Sequence, residues 1–233
     1  MSGEAIVLAG GLGTRLKHLL DDLPKPMAPV GDQPFLNYLL LYLKSEGIER
    51  VILSVGHRSK KIIEHFGNKF NGLDIVYSIE ETPLGTGGAI KKSLELCLQD
   101  HVFVVNGDTY FDISFDIMRK SFLNKGPSLL MALCNMNSAD RYGTVEIDNE
   151  GRVIAFKEKA FKKPALINGG IYLIKTDMMS GIDLPDHFSF EKDIMERYLS
   201  ALKIMAIPFD NYFIDIGVPE DFHKAQKELP NYF

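Results

Sequence analysis

A glycine-rich turn that directly follows an apolar segment is the part of this sequence best suited to chemistry. Ile6–Ala9 is apolar, and residues 10–15 read Gly-Gly-Leu-Gly-Thr-Arg. Glycines leave backbone amides uncovered, and Arg15 adds a cation beside them. Lys25 follows between two prolines, which restrict the backbone from which its side chain starts. Uncovered amides with two cations predict a site for a polyphosphate.

The spacing of these glycines departs from two widespread phosphate-binding motifs. The dinucleotide fingerprint G-x-G-x-x-G would need glycine at position 16, where the sequence has Leu16. The Walker motif would need Lys-Ser or Lys-Thr after Gly13, which is followed by Thr14 and Arg15. A simple tight turn with a surface arginine has the same local pattern. The turn therefore points to function only in combination with other residues.

Two aspartates stand where apolar segments end. Asp108 follows the apolar run 102–105, and Asp215 follows the short apolar run 212–214. Ligands of open α/β sheets bind beyond the carboxyl ends of strands, and Mg²⁺ often takes one or two carboxylates together with phosphate oxygens. The alternative for each aspartate is a turn or helix-cap role.

Alternating strand and helix patterns must position these groups in the first half. The predicted strands are Glu4–Ala9, Val51–Val55, Leu73–Ile79 and Val102–Val105, and the predicted helices are Phe35–Ser45, Ser59–His65 and Gly87–Leu98. Unbroken apolar strands are typical of a parallel sheet that is covered on both faces. The alternation predicts an α/β fold with a single doubly wound, Rossmann-like, mostly parallel sheet.

The second half adds a hairpin and further strands. The hairpin is expected from Thr144–Ile147 and Val153–Phe156 around a turn at 148–151. The remaining predicted elements are strands at Leu129–Leu133, Ile171–Ile174, Ile204–Pro208 and Tyr212–Asp215, and helices at Phe190–Ser200 and from Pro219 to Glu228. Because no linker or repeat interrupts the chain, we expect one domain over 1–233, with 1–112 mainly binding a nucleotide and 113–233 mainly binding its co-substrate.

Composition narrows the functional class. Of 233 residues, 31 are acidic and 26 basic, and a net charge of −5 argues against a nucleic-acid partner. Two cysteines, Cys97 and Cys134, lack a metal-binding spacing and predict buried thiols in a reducing compartment. The six histidines show no ligand spacing and are expected on the surface or in packing. Without a signal segment or an apolar run of about 18 residues, a cytoplasmic protein with no membrane partner is expected.

Segments in order along the chain resemble one enzyme family. The glycine turn with Pro24-Lys25-Pro26-Met27 resembles the opening signature of sugar-1-phosphate nucleotidyltransferases. Later segments of similar type are 81–89 (ETPLGTGGA), 105–108 (VNGD), 141–145 (RYGTV), 156–159 (FKEK), 168–172 (NGGIY) and 214–217 (IDIG). The resemblance implies that a nucleoside triphosphate and a sugar 1-phosphate give a nucleotide sugar and pyrophosphate. The forms at 141–144, 167–172 and 213–221 are most similar to guanylyltransferases acting on D-glycero-α-D-manno-heptose 1-phosphate. GTP and GDP-heptose synthesis for bacterial surface polysaccharide are therefore implied.

The resemblance also implies roles for individual residues. Arg15, Lys25 and Asp108 would be catalytic, and Asp108 and Asp215 would bind Mg²⁺. The implied nucleotide-binding residues are Leu8, Ala9, Gly10, Gly11, Gly13, Thr14, Arg15, Lys25, Pro83, Gly85, Thr86, Gly88, Asn106 and Gly107, with Glu80 or Glu81 as a further contact to base or ribose. The implied sugar-phosphate residues are Gly143, Glu158, Lys159, Asn168 and Gly169. Ala160 follows Lys159 where the family often has proline, and a solvated charged segment is the alternative for 157–163.

Several other functions remain open at this point. Loop glycines do not identify a nucleobase, so a mannose-1-phosphate guanylyltransferase and a hexose-1-phosphate uridylyl- or thymidylyltransferase are alternatives. A non-catalytic nucleotide-sugar sensor or regulatory subunit on the same fold is another, although the retained Arg15, Lys25, Asp108 and Asp215 favour catalysis. The missing third glycine argues against a nicotinamide dehydrogenase. A homodimer is compatible with the sequence.

Overall fold

Apolar strands covered by helices on both faces form the centre of this protein. The computed structural model describes residues 3–11, 23–137, 142–157 and 164–232. The strands are β1 (Gly3–Leu8), β2 (Pro29–Val30), β3 (Gln33–Pro34), β4 (Ile48–Val55), β5 (Lys69–Phe70), β6 (Leu73–Ile79), β7 (His101–Asn106), β8 (Thr109–Phe111), β9 (Leu129–Met136), β10 (Thr144–Ile147), β11 (Val153–Lys157), β12 (Ala165–Lys175), β13 (Ile204–Phe209) and β14 (Phe213–Asp215). The α-helices are α1 (Phe35–Ser45), α2 (Ser59–Phe66), α3 (Gly85–Leu94), α4 (Phe115–Lys125) and α5 (Pro219–Glu228), and Phe190–Glu196 is π-helical.

One large sheet carries both halves of the chain. Its strand order is β11-β10-β12-β7-β1-β4-β6-β5, with β9 beside β12 and β13 beside β9. Strands β7, β1, β4 and β6 run parallel, which confirms the expected doubly wound sheet. Antiparallel pairing of β12 with β7 joins the second half to it, and β10 with β11 forms the expected hairpin. The carboxyl ends of β1, β4, β6 and β7 therefore share one edge.

Alternate side chains of the central strands fill two cores, one on each face of the sheet. Ala5 and Val7 of β1 pack with α1 in the first core, whereas Ile6 packs in the second core with Ile90 of α3 and with the π-helical segment. All three of these β1 side chains are fully buried. Burial on both faces explains why the strand reads as an unbroken apolar run.

A buried ion pair explains the single carboxylate inside β1. Glu4 accepts hydrogen bonds from the backbone amides of Leu98 and Gln99 at 2.8 and 2.9 Å, and it pairs with Arg50 of β4. Buried charges need this kind of compensation. The pair lies at the amino-terminal end of β1, opposite the edge that carries the glycine turn, so we assign it to stability.

Several element boundaries differ from the sequence predictions. Helix α3 begins at Gly85 and ends at Leu94, and the predicted helix 190–200 is a π-helix that ends at Glu196. Ser59, a residue type that suits a helix cap, is instead the first residue of α2, and Arg58 occupies the cap position with φ of +63°. Strand β12 is much longer than predicted, since a break in its pairing between Asn168 and Tyr172 interrupts the alternation. Within the described residues, no helix is both long and apolar enough to cross a membrane.

Candidate active site

Lys25, Asp108 and Asp215 meet at the strand edge that carries the glycine turn. Asp108 lies in the turn between β7 and β8. Strand β14 pairs antiparallel with β8, so that Asp215 stands opposite Thr109 and the Ile216 amide donates to the Asp108 carbonyl at 3.0 Å. The Lys25 Nζ forms an ion pair with Asp108 and lies 3.8 Å from Asp215 Oδ1. This small two-stranded sheet brings together two carboxylates that are 107 positions apart in sequence.

Two carboxylates share one ammonium group in this cluster, which leaves an excess of negative charge. The Lys25 side chain is only 14% exposed. Burial and the neighbouring Asp108 raise the pKa of Asp215, while Lys25 and the Gly217 amide act in the opposite direction. A divalent cation would relieve this repulsion. The described residues contain no group of three or more side chains with metal-binding chemistry, and two carboxylates suit Mg²⁺ that completes its shell with phosphate and water.

Gly217 has no side chain, which allows Asp215 and Lys25 to approach each other beside it. Its amide donates to Asp215 Oδ1 at 2.7 Å and fixes the orientation of that carboxylate. A Cβ at this position would lie 2.9 Å from the same oxygen and 3.3 Å from Lys25 Nζ. Both separations are shorter than ordinary contacts to a Cβ atom. A larger residue at position 217 would therefore displace the Asp215 carboxylate and the Lys25 ammonium group.

A cavity of about 500 Å³ extends from this cluster along the strand edge. It gathers predicted site residues from three separate segments: Leu8, Gly10, Gly11, Pro83, Gly85, Thr86, Asn106 and Asp108. Three other predicted nucleotide contacts, Ala9, Gly88 and Gly107, are buried and do not line it. A smaller adjoining cavity of about 220 Å³ continues past Glu80 to Gly56, His57 and Glu81.

Some predicted site residues lie outside the described part of the chain. They are Gly13, Thr14, Arg15, Glu158 and Lys159. Their roles stay predictions from the sequence.

The glycines in the first turn of α3 make room for another segment of the chain. A Cβ at Gly85, whose φ is +70°, would lie 2.5 Å from the Phe188 carbonyl oxygen, and a Cβ at Gly87 would overlap the Phe188 ring. A Cβ at Gly88 would overlap the carbonyl oxygen of Asp186. Gly85 and Gly88, which the sequence analysis names as nucleotide-binding residues, are therefore also required by Phe188 and Asp186 of the chain itself.

The described residues among those predicted to bind the sugar phosphate are Gly143, directly before β10, and Asn168 and Gly169 in β12. Thr144 pairs with Ile167 in antiparallel register, which sets Gly143 opposite Asn168. The Asn168 amide donates to the Tyr172 hydroxyl at 2.6 Å and its Oδ1 accepts from the Gly170 amide at 3.0 Å. Gly169 is buried, and a Cβ there would lie 2.5 Å from the Phe111 ring. Asn168 and Gly169 thus have structural roles at the bulge of β12.

Four polar residues that line the cavity were missed or given little weight from the sequence: Ser54, Glu80, His187 and Glu191. Ser54 stands near the carboxyl end of β4, a position that the strand-end rule alone could have identified. The Glu80 carboxylate accepts hydrogen bonds from Ser54 Oγ at 3.2 Å and from the Leu84 amide at 3.0 Å. His187 and Glu191 come from a segment about 100 residues beyond the loop that they face, and no local sequence signal marks them.

The sequence of this chain is similar to those of known proteins over nearly its full length. A family model described as nucleotidyl transferase matches residues 4–231. A D-glycero-alpha-D-manno-heptose 1-phosphate guanylyltransferase from Campylobacter jejuni is 50% identical over 94% of this chain and 97% of its own. The enzyme of the same name from Aneurinibacillus thermoaerophilus is 45% identical over 98% and 99% of the two chains.

A solved structure supports the same assignment at the level of the fold. HddC from Yersinia pseudotuberculosis superposes with a TM-score of 0.87 at 35% identity, over 97% of this chain and 99% of that one. The same protein has been solved in complex with GMP-PN, with a TM-score of 0.85. The matched family model, these relatives and the site geometry agree, and the chain belongs to the nucleotidyl transferase family of enzymes.

Proposed function

We propose that this enzyme transfers GMP from GTP to D-glycero-α-D-manno-heptose 1-phosphate and releases pyrophosphate. The observation that carries the proposal is the cavity that joins the Gly10–Gly11 turn and the loop before α3 to the Lys25, Asp108 and Asp215 cluster. It offers amide-rich walls for a nucleotide and a charged end for its phosphates. Relatives at 50% and 45% identity, whose names specify this reaction, support the choice of substrates.

The reaction requires two anions to meet. An ionised oxygen of the sugar 1-phosphate attacks the α-phosphorus of GTP, a new P–O bond forms, and the bond to the β-phosphate oxygen breaks to release pyrophosphate. No proton has to be removed from the attacking phosphate oxygen. The chemistry therefore depends on positioning and on charge neutralisation, not on a protein nucleophile.

Lys25 supplies the positive charge at the reacting phosphates. It is partly buried and lies beside both carboxylates, so its ammonium group is held in place before substrates bind. Asp108 and Asp215 would hold Mg²⁺, which when bound supplies further positive charge to phosphate oxygens. Burial raises the pKa of Cys97 to about 12 and of Cys134 to about 11, so both thiols are neutral and neither serves as a nucleophile.

Glu80 is the group that we propose as the reader of guanine. Its carboxylate is oriented by Ser54 and the Leu84 amide, and it lines both the large cavity and the smaller adjoining one, which Asp108 does not line. Guanine presents two neighbouring N–H donors on its Watson–Crick edge, and a carboxylate accepts both. Uracil and thymine present one donor between two acceptor oxygens, which a carboxylate repels.

The proposal also states which half of the chain binds each substrate, how the product is used and in which compartment the enzyme works. Residues 1–112 would bind mainly the nucleotide, and residues 113–233 would bind the sugar 1-phosphate near the hairpin and the β12 bulge. The product would enter surface-polysaccharide synthesis. Two free cysteines are compatible with a cytoplasmic, reducing compartment.

A substrate panel tests this specificity. Purified enzyme with Mg²⁺ is incubated with GTP, ATP, UTP or dTTP and with D-glycero-α-D-manno-heptose, mannose or glucose 1-phosphate, and pyrophosphate release is measured. We expect GTP with the heptose 1-phosphate to give the highest kcat/KM, by about tenfold or more over every other pair. Each correctly paired hydrogen-bonding group discriminates by at least that factor.

Two outcomes of the panel would change the proposal. Preferred use of mannose 1-phosphate with GTP would retain the base and overturn the sugar. Preferred use of UTP or dTTP would overturn the role of Glu80. The variant Glu80→Gln provides the matched control, because its amide should reduce the preference for GTP over UTP while sugar preference stays unchanged.

A further inference from the structure

The first turn of α3, which lines the nucleotide cavity, and the preceding Leu84 are hydrogen-bonded to a distant segment of the second half. The Phe188 amide donates to the Leu84 carbonyl at 3.0 Å, and the Gly87 amide donates to the Phe188 carbonyl at 2.9 Å. Phe188 is 2% exposed, and its ring and carbonyl fill the space beside Gly85 and Gly87. The first turn of α3 is thus tied to this segment by two backbone hydrogen bonds and by the packing of Phe188.

One carboxylate and two hydroxyl groups form further hydrogen bonds at this contact. Thr86 Oγ1 donates to Glu191 Oε2 at 2.8 Å and accepts from the Phe190 amide at 2.9 Å. Ser189 Oγ donates to the same Glu191 oxygen at 2.9 Å. Because the Thr86 hydroxyl has one proton, its bond to the carboxylate leaves a lone pair for the Phe190 amide. Glu191 therefore fixes the direction of the Thr86 hydroxyl.

This use of Thr86 differs from a helix cap. The cap position of α3 is Leu84, and no side chain caps it. The Thr86 hydroxyl reaches across to the π-helical segment instead. Thr86 and Glu191 also line the cavity together, so the bond between them lies in the wall of the nucleotide site.

We infer that Glu191 is a positioning residue, which acts through Thr86 to hold the first turn of α3 in its nucleotide-binding form. The inference rests on the proposed function only in naming GTP as the nucleotide. Loss of the carboxylate would release the Thr86 hydroxyl, the Phe190 amide and the Ser189 hydroxyl together. The first turn of α3 would then have to be ordered by the nucleotide itself, and the cost of ordering would weaken nucleotide binding.

A double-mutant cycle tests the inference. Thr86→Val, Glu191→Ala and the double variant are compared by calorimetric binding of GTP in the absence of sugar, and by KM for the sugar 1-phosphate. We expect each single variant to raise the Kd for GTP about tenfold, the size of effect for a lost hydrogen bond to a charged group. The double variant should also show about a tenfold rise, since both changes break the same link.

Conservative variants separate positioning from bulk stability. Thr86→Ser keeps the hydroxyl, and Glu191→Gln keeps an acceptor oxygen, so both should restore GTP affinity to within about threefold of the original protein. KM for the sugar 1-phosphate should stay within about twofold in all variants. If Glu191→Ala does not fold, the comparison of Thr86→Val with Thr86→Ser still decides the matter.

Three results would overturn the inference. They are a hundredfold loss in the double variant, an unchanged Kd in Thr86→Val, and a Glu191→Ala effect confined to the sugar KM, which would indicate a direct sugar contact. An original protein that binds GTP without releasing pyrophosphate would contradict the proposed function and leave this binding test intact.

Discussion

Replacing Lys25 by alanine is expected to lower kcat by about 10²–10³-fold while the protein stays folded. That range is typical for loss of one preorganised charge aimed at a developing negative charge. The Lys25 side chain is partly buried between Asp108 and Asp215, and no other cation among the described residues touches both carboxylates. Its removal leaves these carboxylates facing the incoming phosphates without compensation. Steady-state pyrophosphate release gives kcat, and circular dichroism checks the fold.

Lys120→Ala is the matched control for this prediction. Lys120 pairs with Asp116 on the surface of α4 and is 72% exposed, so kcat should stay unchanged. Lys25→Arg should recover part of the lost activity, because it keeps the charge but not the compact shape of the ammonium group. Turnover close to that of the original enzyme in Lys25→Ala would remove Lys25 from the catalytic machinery.

Asp215→Asn should abolish most activity and yet raise the melting temperature of the metal-free protein. Burial and the nearby Asp108 raise the pKa of Asp215, so its ionised form is less stable in the folded state than in the unfolded chain. A raised carboxyl pKa favours the folded state at low pH, and this contribution is lost as pH rises through the folded pKa. At neutral pH the charge therefore costs stability, and asparagine removes the cost.

Activity should fall by about 10²-fold or more in the same variant, because a proposed ligand of Mg²⁺ is lost. The Mg²⁺ concentration for half-maximal activity should rise as well. Asp74→Asn is the control, since Asp74 is exposed and pairs with Lys69 on the surface. A melting temperature that falls in Asp215→Asn, or an unchanged Mg²⁺ requirement, would contradict this account of the cluster.

The sequence predicts the parallel part of this fold well, for a physical reason. Strands such as β1, β4 and β7 are buried on both faces, so their apolar runs are visible without tertiary information. The same reasoning places Asp108 at a strand end. Helix α1 is also predicted at its observed bounds, because eight of its eleven residues are buried and carry the helical spacing.

Long-range packing is what the sequence does not reveal. The pairing of β8 with β14 sets Asp215 beside Asp108, yet each strand has only three residues and carries no strong pattern. Likewise, the glycines at the start of α3 look like ligand-binding glycines, and the sequence does not show that Phe188 and Asp186 pack against them. The family resemblance supplies roles that local patterns cannot, and Arg15 is a case that still rests on it.

The fate of labelled phosphate tests nucleotidyl transfer most directly. Enzyme, Mg²⁺ and D-glycero-α-D-manno-heptose 1-phosphate are mixed with GTP labelled at either the α- or the γ-phosphorus, and the products are separated. The account predicts that the α-label appears in GDP-heptose and the γ-label in pyrophosphate, in equal amounts. Recovery of the α-label as GMP, of the γ-label as inorganic phosphate without pyrophosphatase, or of unchanged GTP would contradict it.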